Sequence, residues 1–152
     1  MMRLLSCLLG IALLTACVRL DAQTGGLGFA LRLGGATTRT SGLLIGADLG
    51  IPSFALLPGF RSRVDADTWG QPTSGWDRSN GGRAVTLCQL QSALAGYYGV
   101  GAGYSRLRSH GETYEGLELK LVLGLQLIGA GVEANWHIGK ISTWTGMLRF
   151  GF

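Results

Sequence analysis

The chain has little charge and almost no cysteine, and each shortage excludes a class of protein. Charged residues make up 14% of the sequence, where about 25% is ordinary for a soluble domain, and disordered chains usually carry more. Of the three cysteines, Cys7 and Cys17 lie near the start, so Cys88 has no disulfide partner in the remainder of the chain. We interpret this lone thiol as a small apolar filler.

Beyond residue 22 there are 11 basic and 8 acidic residues, an excess too small and too scattered to indicate nucleic-acid binding.

Long apolar runs are also missing beyond the N-terminus. Hydrophobic residues make up 47% of the 152 residues, yet no run there approaches the roughly 20 residues that a membrane-spanning helix needs. The length is that of one domain, because domains usually have about 100 to 200 residues. Glycine is abundant instead, with 26 residues, and this disfavours a helical bundle. If the protein enters a bilayer, strands should therefore carry it.

The segment 1–22 has the three parts of a secretory signal peptide. Arg3 supplies the positive charge, Leu4 to Leu14 form the apolar stretch, and small residues follow. Cleavage after Ala22 suits an ordinary signal peptidase, whereas the residues up to Cys17 resemble a lipobox whose cysteine would be acylated. Both sites stay open at this point. Residues 23–152 are expected to form the folded domain.

The remainder of the chain alternates apolar residues with glycine or polar residues, which is typical of strands with one face in apolar surroundings. The clearest run has leucine at every second position from Leu117 to Leu127, a spacing that a helix would spread around its whole circumference. The pattern predicts eight strands, at about residues 27–34, 43–51, 54–65, 83–92, 97–107, 117–127, 132–138 and 144–152. Most of them reach the roughly 9 to 11 residues that cross a bilayer when tilted. The predicted fold is therefore all-β, an eight-stranded antiparallel up-and-down transmembrane β-barrel.

The connections are expected to alternate in length around the barrel. The longer loops are predicted at 35–40, 66–82 and 108–115, and the short turns at 52–53, 93–96 and 129–131. Long loops at one end and short turns at the other are typical of outer-membrane barrels. The connection at 139–141 is an exception, because it is short on the side of the long loops. The longest loop contains Trp69 and Trp76, which we predict either to contact a partner or to form an aromatic lid over the barrel mouth.

The charged residues of the predicted strands lie on the face opposite the apolar rows. An arginine or lysine that faces lipid at the bilayer midplane costs about 2 to 4 kcal/mol, a large part of a total stability of about 5 to 15 kcal/mol. Facing inward, opposite charges can pair. We predict a plugged lumen with an ion-pair network made by Arg32, Asp48, Arg61, Arg63, Asp65, Glu118, Lys120, Glu133, His137 and Arg149. Glycines such as Gly99, Gly101 and Gly103 would make room for long neighbouring side chains.

Two segments resemble a known family. Trp144, Leu148, Phe150 and Phe152 resemble the final-strand signal of bacterial outer-membrane barrels, and the segment Tyr97 to Tyr104 resembles the aromatic and glycine strand of small OmpA-like barrels. The resemblance implies export across the inner membrane, passage with periplasmic chaperones, and insertion into the outer membrane by the barrel assembly machinery. Outer-membrane lipids and lipopolysaccharide would surround the protein, which we expect to be a monomer. Without a peptidoglycan-binding segment, a cell-wall tethering role is not expected.

The leading functional hypothesis is a non-enzymatic outer-membrane barrel with a structural or adhesive role through its loops. The alternative is a lipid A deacylase, for which His137, Ser142 and Glu133 are the best catalytic trio. His137 and Ser142 do not have the tight His-x-Ser spacing of that family. A third interpretation makes residues 84–105 a membrane helix with small residues at every fourth position, which two glutamines and many glycines disfavour.

No metal ion or cofactor is expected. The carboxylates of Asp65, at the end of the third predicted strand, and of Asp67 and Asp77, in the loop predicted after it, do not have the spacing of metal ligands. The Gly-x-Gly-x-Gly pattern at 99–103 is not a dinucleotide-binding fingerprint, because no helical pattern follows it.

Overall fold

The computed structural model is a closed barrel of eight antiparallel strands. It describes residues 28–37, 41–51, 56, 58–70, 81–93, 96–127 and 129–151. The strands are β1 (Phe29–Thr37), β2 (Ser41–Ile51), β3 (Arg61–Gly70), β4 (Gly81–Ala93), β5 (Gly96–Ser109), β6 (Glu112–Leu127), β7 (Ala130–Ile138) and β8 (Thr143–Gly151). Each strand pairs with its neighbours in sequence. The predicted fold class, and with it the fold that the family resemblance implies, is confirmed.

The barrel closes between its first and last strands. Ala30 of β1 lies opposite Gly151 of β8, and Thr37 lies opposite Trp144. On its other side β1 pairs with β2 over its whole length. A closed sheet gives the backbone groups of every strand a partner and leaves no open edge, which is the condition for crossing a lipid bilayer with strands.

The two ends of the barrel can be told apart by the chain termini. The terminal end carries Gly28 and Gly151 and the connections that follow β2, β4 and β6, while the far end carries those that follow β1, β3, β5 and β7. The two longest connections are 52–60 at the terminal end and 71–80 at the far end. The predicted division into one end with long loops and one with short turns is therefore wrong.

The third strand begins later than predicted. We expected a strand from Phe54 after a turn at 52–53, but β3 starts at Arg61, and Pro58 and Gly59 form a turn before it. Proline has no backbone N–H to donate to a sheet, and Gly59 has a φ of 80°, which side-chain-bearing residues rarely adopt. Residues 52–55 lie outside the described part of the chain.

The third strand also ends later than predicted, so the loop predicted at 66–82 is shortened to 71–80. Asp67 and Trp69 are consequently strand residues, and their side chains are buried. The prediction that they lie in a loop is wrong, because polar and aromatic residues that face a polar lumen resemble loop residues in sequence. Trp76 and Asp77 lie outside the described residues.

The loop predicted at 108–115 is a two-residue turn. His110 and Gly111 join β5 to β6 with φ angles of 51° and 84°. Positive φ at both central residues is the geometry of a type I′ hairpin turn, whose twist matches that of the strands on either side. The pairing continues to Ser109 opposite Glu112.

The helical interpretation of residues 84–105 is wrong, because these residues belong to β4 and β5. Among the described residues, no helix is long and apolar enough to cross a membrane.

Candidate functional site

Arg32 lies at the centre of the lumen and contacts carboxylates from three other strands. Its Nη1 lies 3.0 Å from Asp65 Oδ2, and its Nη2 lies 2.9 Å from Asp67 Oδ1. Glu133 Oε1 is 3.4 Å from Nη1, and Asp48 Oδ2 is 3.7 Å from Nε. Arg32 points inward because its strand neighbours Leu31 and Leu33 face out.

Three further cations pair with the same carboxylates. Lys120 Nζ lies 2.7 Å from Asp65 and 3.0 Å from Asp67. Arg63 binds Asp65 and Glu133, each at 2.7 Å. The Arg149 guanidinium donates two hydrogen bonds of 2.8 Å to the oxygens of Asp48. We call these eight residues the ion cluster: Arg32, Arg63, Lys120, Arg149, Asp48, Asp65, Asp67 and Glu133.

The ion cluster contains as many cations as carboxylates, so its formal charges balance. An unpaired buried charge is very costly, whereas a balanced network with several contacts for each charge offsets much of the cost of leaving water. Six of the eight strands contribute a member. A further contact with the cluster comes from β5, where the Tyr97 hydroxyl donates a 2.6 Å hydrogen bond to Glu133. The cluster thus joins the barrel wall across its interior.

Apolar side chains fill the lumen on both sides of the ion cluster. The layer toward the far end consists of Ala36, Leu44, Trp69, Ala84, Leu107 and Met147, with Tyr114 and Ile141 packed against it. The layer toward the terminal end consists of Cys88, Tyr97 and Val122, with Leu90 packed against it. Cys88, which the sequence predicts to be a small apolar filler, is completely buried in this layer, and its thiol also donates a 3.4 Å hydrogen bond to Asp65 of the ion cluster.

Two glycines make room for the largest rings in the lumen. A Cβ atom at Gly82 would overlap the Trp69 indole, and one at Gly124 would overlap the Tyr97 ring. The sequence had indicated Gly99 and Gly103 for this role, but a Cβ there would instead meet the backbone of β4. At those two positions the absence of a side chain allows β4 and β5 to approach closely.

His137 lies inside the barrel, above the ion cluster on the side of the far end. Its Nδ1 is 2.9 Å from Glu118 Oε1, and its ring lies against the Trp69 indole with centroids 5.7 Å apart. Ser142, by contrast, accepts a 2.5 Å hydrogen bond from the indole N–H of Trp136. Glu133 belongs to the ion cluster. The structure therefore does not bring His137, Ser142 and Glu133 together as a catalytic trio.

The outer wall of the barrel is apolar around its circumference. On β6, Leu117 is 85% exposed, and the leucines at every second position from Leu119 to Leu125 are exposed as well. Lys120, which lies between Leu119 and Leu121, is 0% exposed. The other exposed apolar side chains include Phe29, Leu31, Leu33, Leu43, Ile45, Leu49, Val85, Tyr98, Val100, Tyr104, Val132, Trp144, Leu148 and Phe150. Soluble proteins rarely expose so large a continuous apolar surface, and here the eight charged residues of the ion cluster lie inside the barrel.

The chain has the architecture of a transmembrane β-barrel. Its closed sheet, apolar outer wall and charged interior form the arrangement in which strands can cross lipid. On the outer wall, Trp136 and Trp144 stack with their centroids 4.9 Å apart and their planes 5° apart.

The structure places the remaining predicted residues as follows. Arg61, which the sequence predicts to belong to the lumen ion-pair network, is exposed at the start of β3, where a long side chain at the barrel rim reaches solvent, so it is not part of the buried ion cluster. Trp69 is 5% exposed and faces the lumen, so it is not a contact residue of an exposed loop.

The outward-facing residues of the predicted assembly signal are Trp144, Leu148 and Phe150. Phe152, like the segment 1–27 with its predicted signal peptide, lies outside the described residues.

Asp67 and Tyr97 are two lumen residues that the sequence interpretation did not place in the network. Asp67 continues the period of two set by Arg63 and Asp65, and this signal could have extended β3. Tyr97 has the same parity as the glycines of its strand, which indicates the inner face.

No protein-family model matches the chain, and no curated protein is recognisably similar to it in sequence. Several solved structures are similar to it, and three of them are described here. Neisserial surface protein A matches with 12% identity and a TM-score of 0.46, covering 83% of this chain and 96% of that one. The N-terminal β-barrel domain of Pseudomonas aeruginosa OprF matches with 13% identity and a TM-score of 0.47, covering 82% and 97%. Ail, the attachment invasion locus protein of Yersinia pestis, matches with 12% identity and a TM-score of 0.41, covering 83% and 96%.

Proposed function

We propose that the protein is a non-enzymatic barrel of the bacterial outer membrane, with a sealed lumen and a structural or surface-interaction role at its far end. The observation that carries this proposal is the ion cluster, in which Arg32 and Lys120 are fully buried among carboxylates from opposite sides of the wall. An eight-stranded barrel is only just wide enough to hold its own side chains. The cluster and the two apolar layers then occupy the path that a solute would need.

The far end is the proposed contact surface. It carries the longest connection on that side, 71–80, and the hairpin of β5 and β6 that reaches to His110 and Gly111. In outer-membrane barrels the end opposite the chain termini usually faces the exterior of the cell. A partner would therefore meet these segments rather than the lumen.

A non-enzymatic role is supported by where the reactive side chains lie. Ser142 is bound to Trp136, and Cys88 is buried in an apolar layer. Among the described residues, no group of three or more histidine, cysteine or acidic side chains could hold a metal ion. We infer that His137 and Glu118 form a structural pair in the lumen.

Assembly would follow the route implied by the family resemblance. We propose that periplasmic chaperones and the barrel assembly machinery handle the chain, and that the outward aromatic and leucine residues of β8 serve as the recognition signal. The folded protein would be a monomer in contact with outer-membrane lipids and lipopolysaccharide. Cleavage after Ala22 or acylation at Cys17 are the two maturation routes.

The experiment combines gel mobility with conductance in planar bilayers. We expect the refolded protein to migrate differently when boiled and unboiled, as membrane barrels do, and to produce no steady ion current. The gel mobility and the conductance are also measured for the double variant Arg32→Ala with Lys120→Ala, which removes the centre of the cluster. The control is Lys140→Ala, which removes an exposed charge. Steady current through the wild-type barrel would contradict the sealed lumen, and identical mobility would contradict the membrane barrel.

A further inference from the structure

The outer wall near the far end carries arginines where two neighbouring strands meet. Arg83 of β4 lies directly opposite Arg106 of β5, and Arg108 follows two residues later on β5. All three side chains are exposed. We call these residues the arginine patch.

The arginine patch contains an arrangement that is unfavourable by itself. Residues directly opposite on one face of an antiparallel pair have their Cβ atoms about 4.5 to 5.5 Å apart, and like charges at such positions destabilise the pair. Within the described part of the chain, Arg83 and Arg108 make no ion pair. Arg106 Nε lies 3.6 Å from Glu115 Oε2, and both side chains are more than half exposed. Among the described residues, the carboxylate that pairs with the arginine patch is therefore solvated and contacts only Arg106.

The patch lies at the border of the apolar wall. The next outward residues toward the terminal end are Val85 and Tyr104, which also lie opposite one another and are 57% and 50% exposed. Tyrosine is enriched at the level of lipid headgroups, and arginine side chains can extend from there toward the polar region. If the apolar wall faces acyl chains, the guanidinium groups then lie at the depth of the headgroup phosphates.

We propose that the arginine patch binds the phosphate of an anionic lipid in the membrane leaflet at the far end. This inference rests on the proposed function, because it requires the apolar wall to lie in a bilayer. Guanidinium groups donate paired hydrogen bonds to phosphate oxygens, and a phosphate between Arg83 and Arg106 would remove their mutual repulsion. The apolar wall below the patch would pack against the acyl chains of the same lipid.

The test uses the refolded barrel in phosphatidylcholine nanodiscs with increasing amounts of phosphatidic acid, and native mass spectrometry to count the retained phosphatidic acid. Each arginine near an anionic surface contributes enough binding energy that removing two should weaken retention roughly ten- to thirtyfold. We therefore compare the retention of phosphatidic acid by the double variant, which carries both Arg83→Gln and Arg106→Gln, with retention by the wild type. Arg61→Gln is the matched control, because Arg61 is an exposed arginine at the opposite end.

The inference is supported if the double variant loses phosphatidic acid while Arg61→Gln retains it. Equal retention by the double variant and the wild type would overturn it. Displacement of the lipid by inorganic phosphate alone would also overturn it, because the patch would then be a site for free phosphate. Failure of the wild type to insert into nanodiscs would instead contradict the proposed membrane location.

The single variant Arg83→Gln provides a second test that does not depend on the folding of the double variant. Arg83→Gln should leave the urea midpoint in pure phosphatidylcholine unchanged or higher, because a like-charge contact is removed. Phosphatidic acid should raise the midpoint of the wild type by more than that of this variant. An equal increase in both proteins would overturn the proposal.

Discussion

Lys120 and Asp65 are 55 residues apart in sequence, yet the lysine Nζ and a carboxylate oxygen lie 2.7 Å apart in the middle of the barrel. The contact joins β6 to β3 across the lumen, so it forms only when the barrel has closed. Neither side chain is accessible to solvent. The stability of the closed barrel should therefore depend on this pair far more than on any exposed charge.

Replacing Lys120 with methionine should lower the free energy of unfolding by about 3 to 5 kcal/mol, because it leaves Asp65 and Asp67 buried with one cation fewer. Urea unfolding of the refolded barrel in lipid vesicles measures this change. Lys140→Met removes an exposed lysine and should change stability by less than about 0.5 kcal/mol. Similar losses in both variants would show that the buried position of Lys120 is not what matters.

The packing of Trp69 provides a second prediction. Gly82→Ala should destabilise the barrel by about 1 to 3 kcal/mol, because the added methyl group meets the indole ring. Gly146→Ala is the matched control, because its Cβ would have no atom within 4 Å. Unfolding midpoints and the tryptophan emission spectrum report on the two variants. A Gly82→Ala variant as stable as Gly146→Ala would place Trp69 elsewhere.

The sequence predicts the fold well because a barrel in lipid imposes a period of two that survives in every strand. Leu117 to Leu127 shows this most clearly, since outward leucines alternate with small or charged inward residues. Strand ends are harder to predict, because a polar lumen and a polar loop select the same residues. The sequence consequently predicts Asp67 and Trp69 in a loop, although both side chains face the interior.

Pairing within the lumen could be predicted only in outline. Alternation places Arg32, Lys120 and Glu133 on the inner face, but it does not determine which cation meets which carboxylate, since that depends on the stagger between strands. The exposure of Arg61 follows from the position where β3 begins, which the turn at Pro58 and Gly59 sets.

Adjacent tyrosines on β5 offer a third prediction with its own control. Tyr97→Phe should cost about 1.5 to 3 kcal/mol, because a buried hydroxyl that donates to the Glu133 carboxylate is lost. Tyr98→Phe removes an exposed hydroxyl that bonds to Gln91, and it should cost less than about 1 kcal/mol. Urea titrations of the two variants decide the order. The reverse order would contradict the inward orientation of Tyr97.

A fourth prediction concerns catalysis. Because Ser142 bonds to Trp136 and not to the His137 ring, His137→Gln should leave the lipid A of expressing cells unchanged. Mass spectra of lipid A from cells with the wild type, the variant or an empty vector provide the comparison. Deacylated lipid A that appears with the wild type and disappears with the variant would show that the protein is an enzyme.

The most direct test of the central claim is labelling of the membrane-inserted barrel from within the bilayer. Lipids with a photoreactive group on the acyl chain attach to side chains that touch the hydrocarbon, and peptide mass spectrometry locates the attachment. We predict attachment at Leu119 and Leu121 and none at Lys120, which lies between them and faces the lumen. Attachment at Lys120 with both leucines unmodified would contradict the orientation on which the whole account depends.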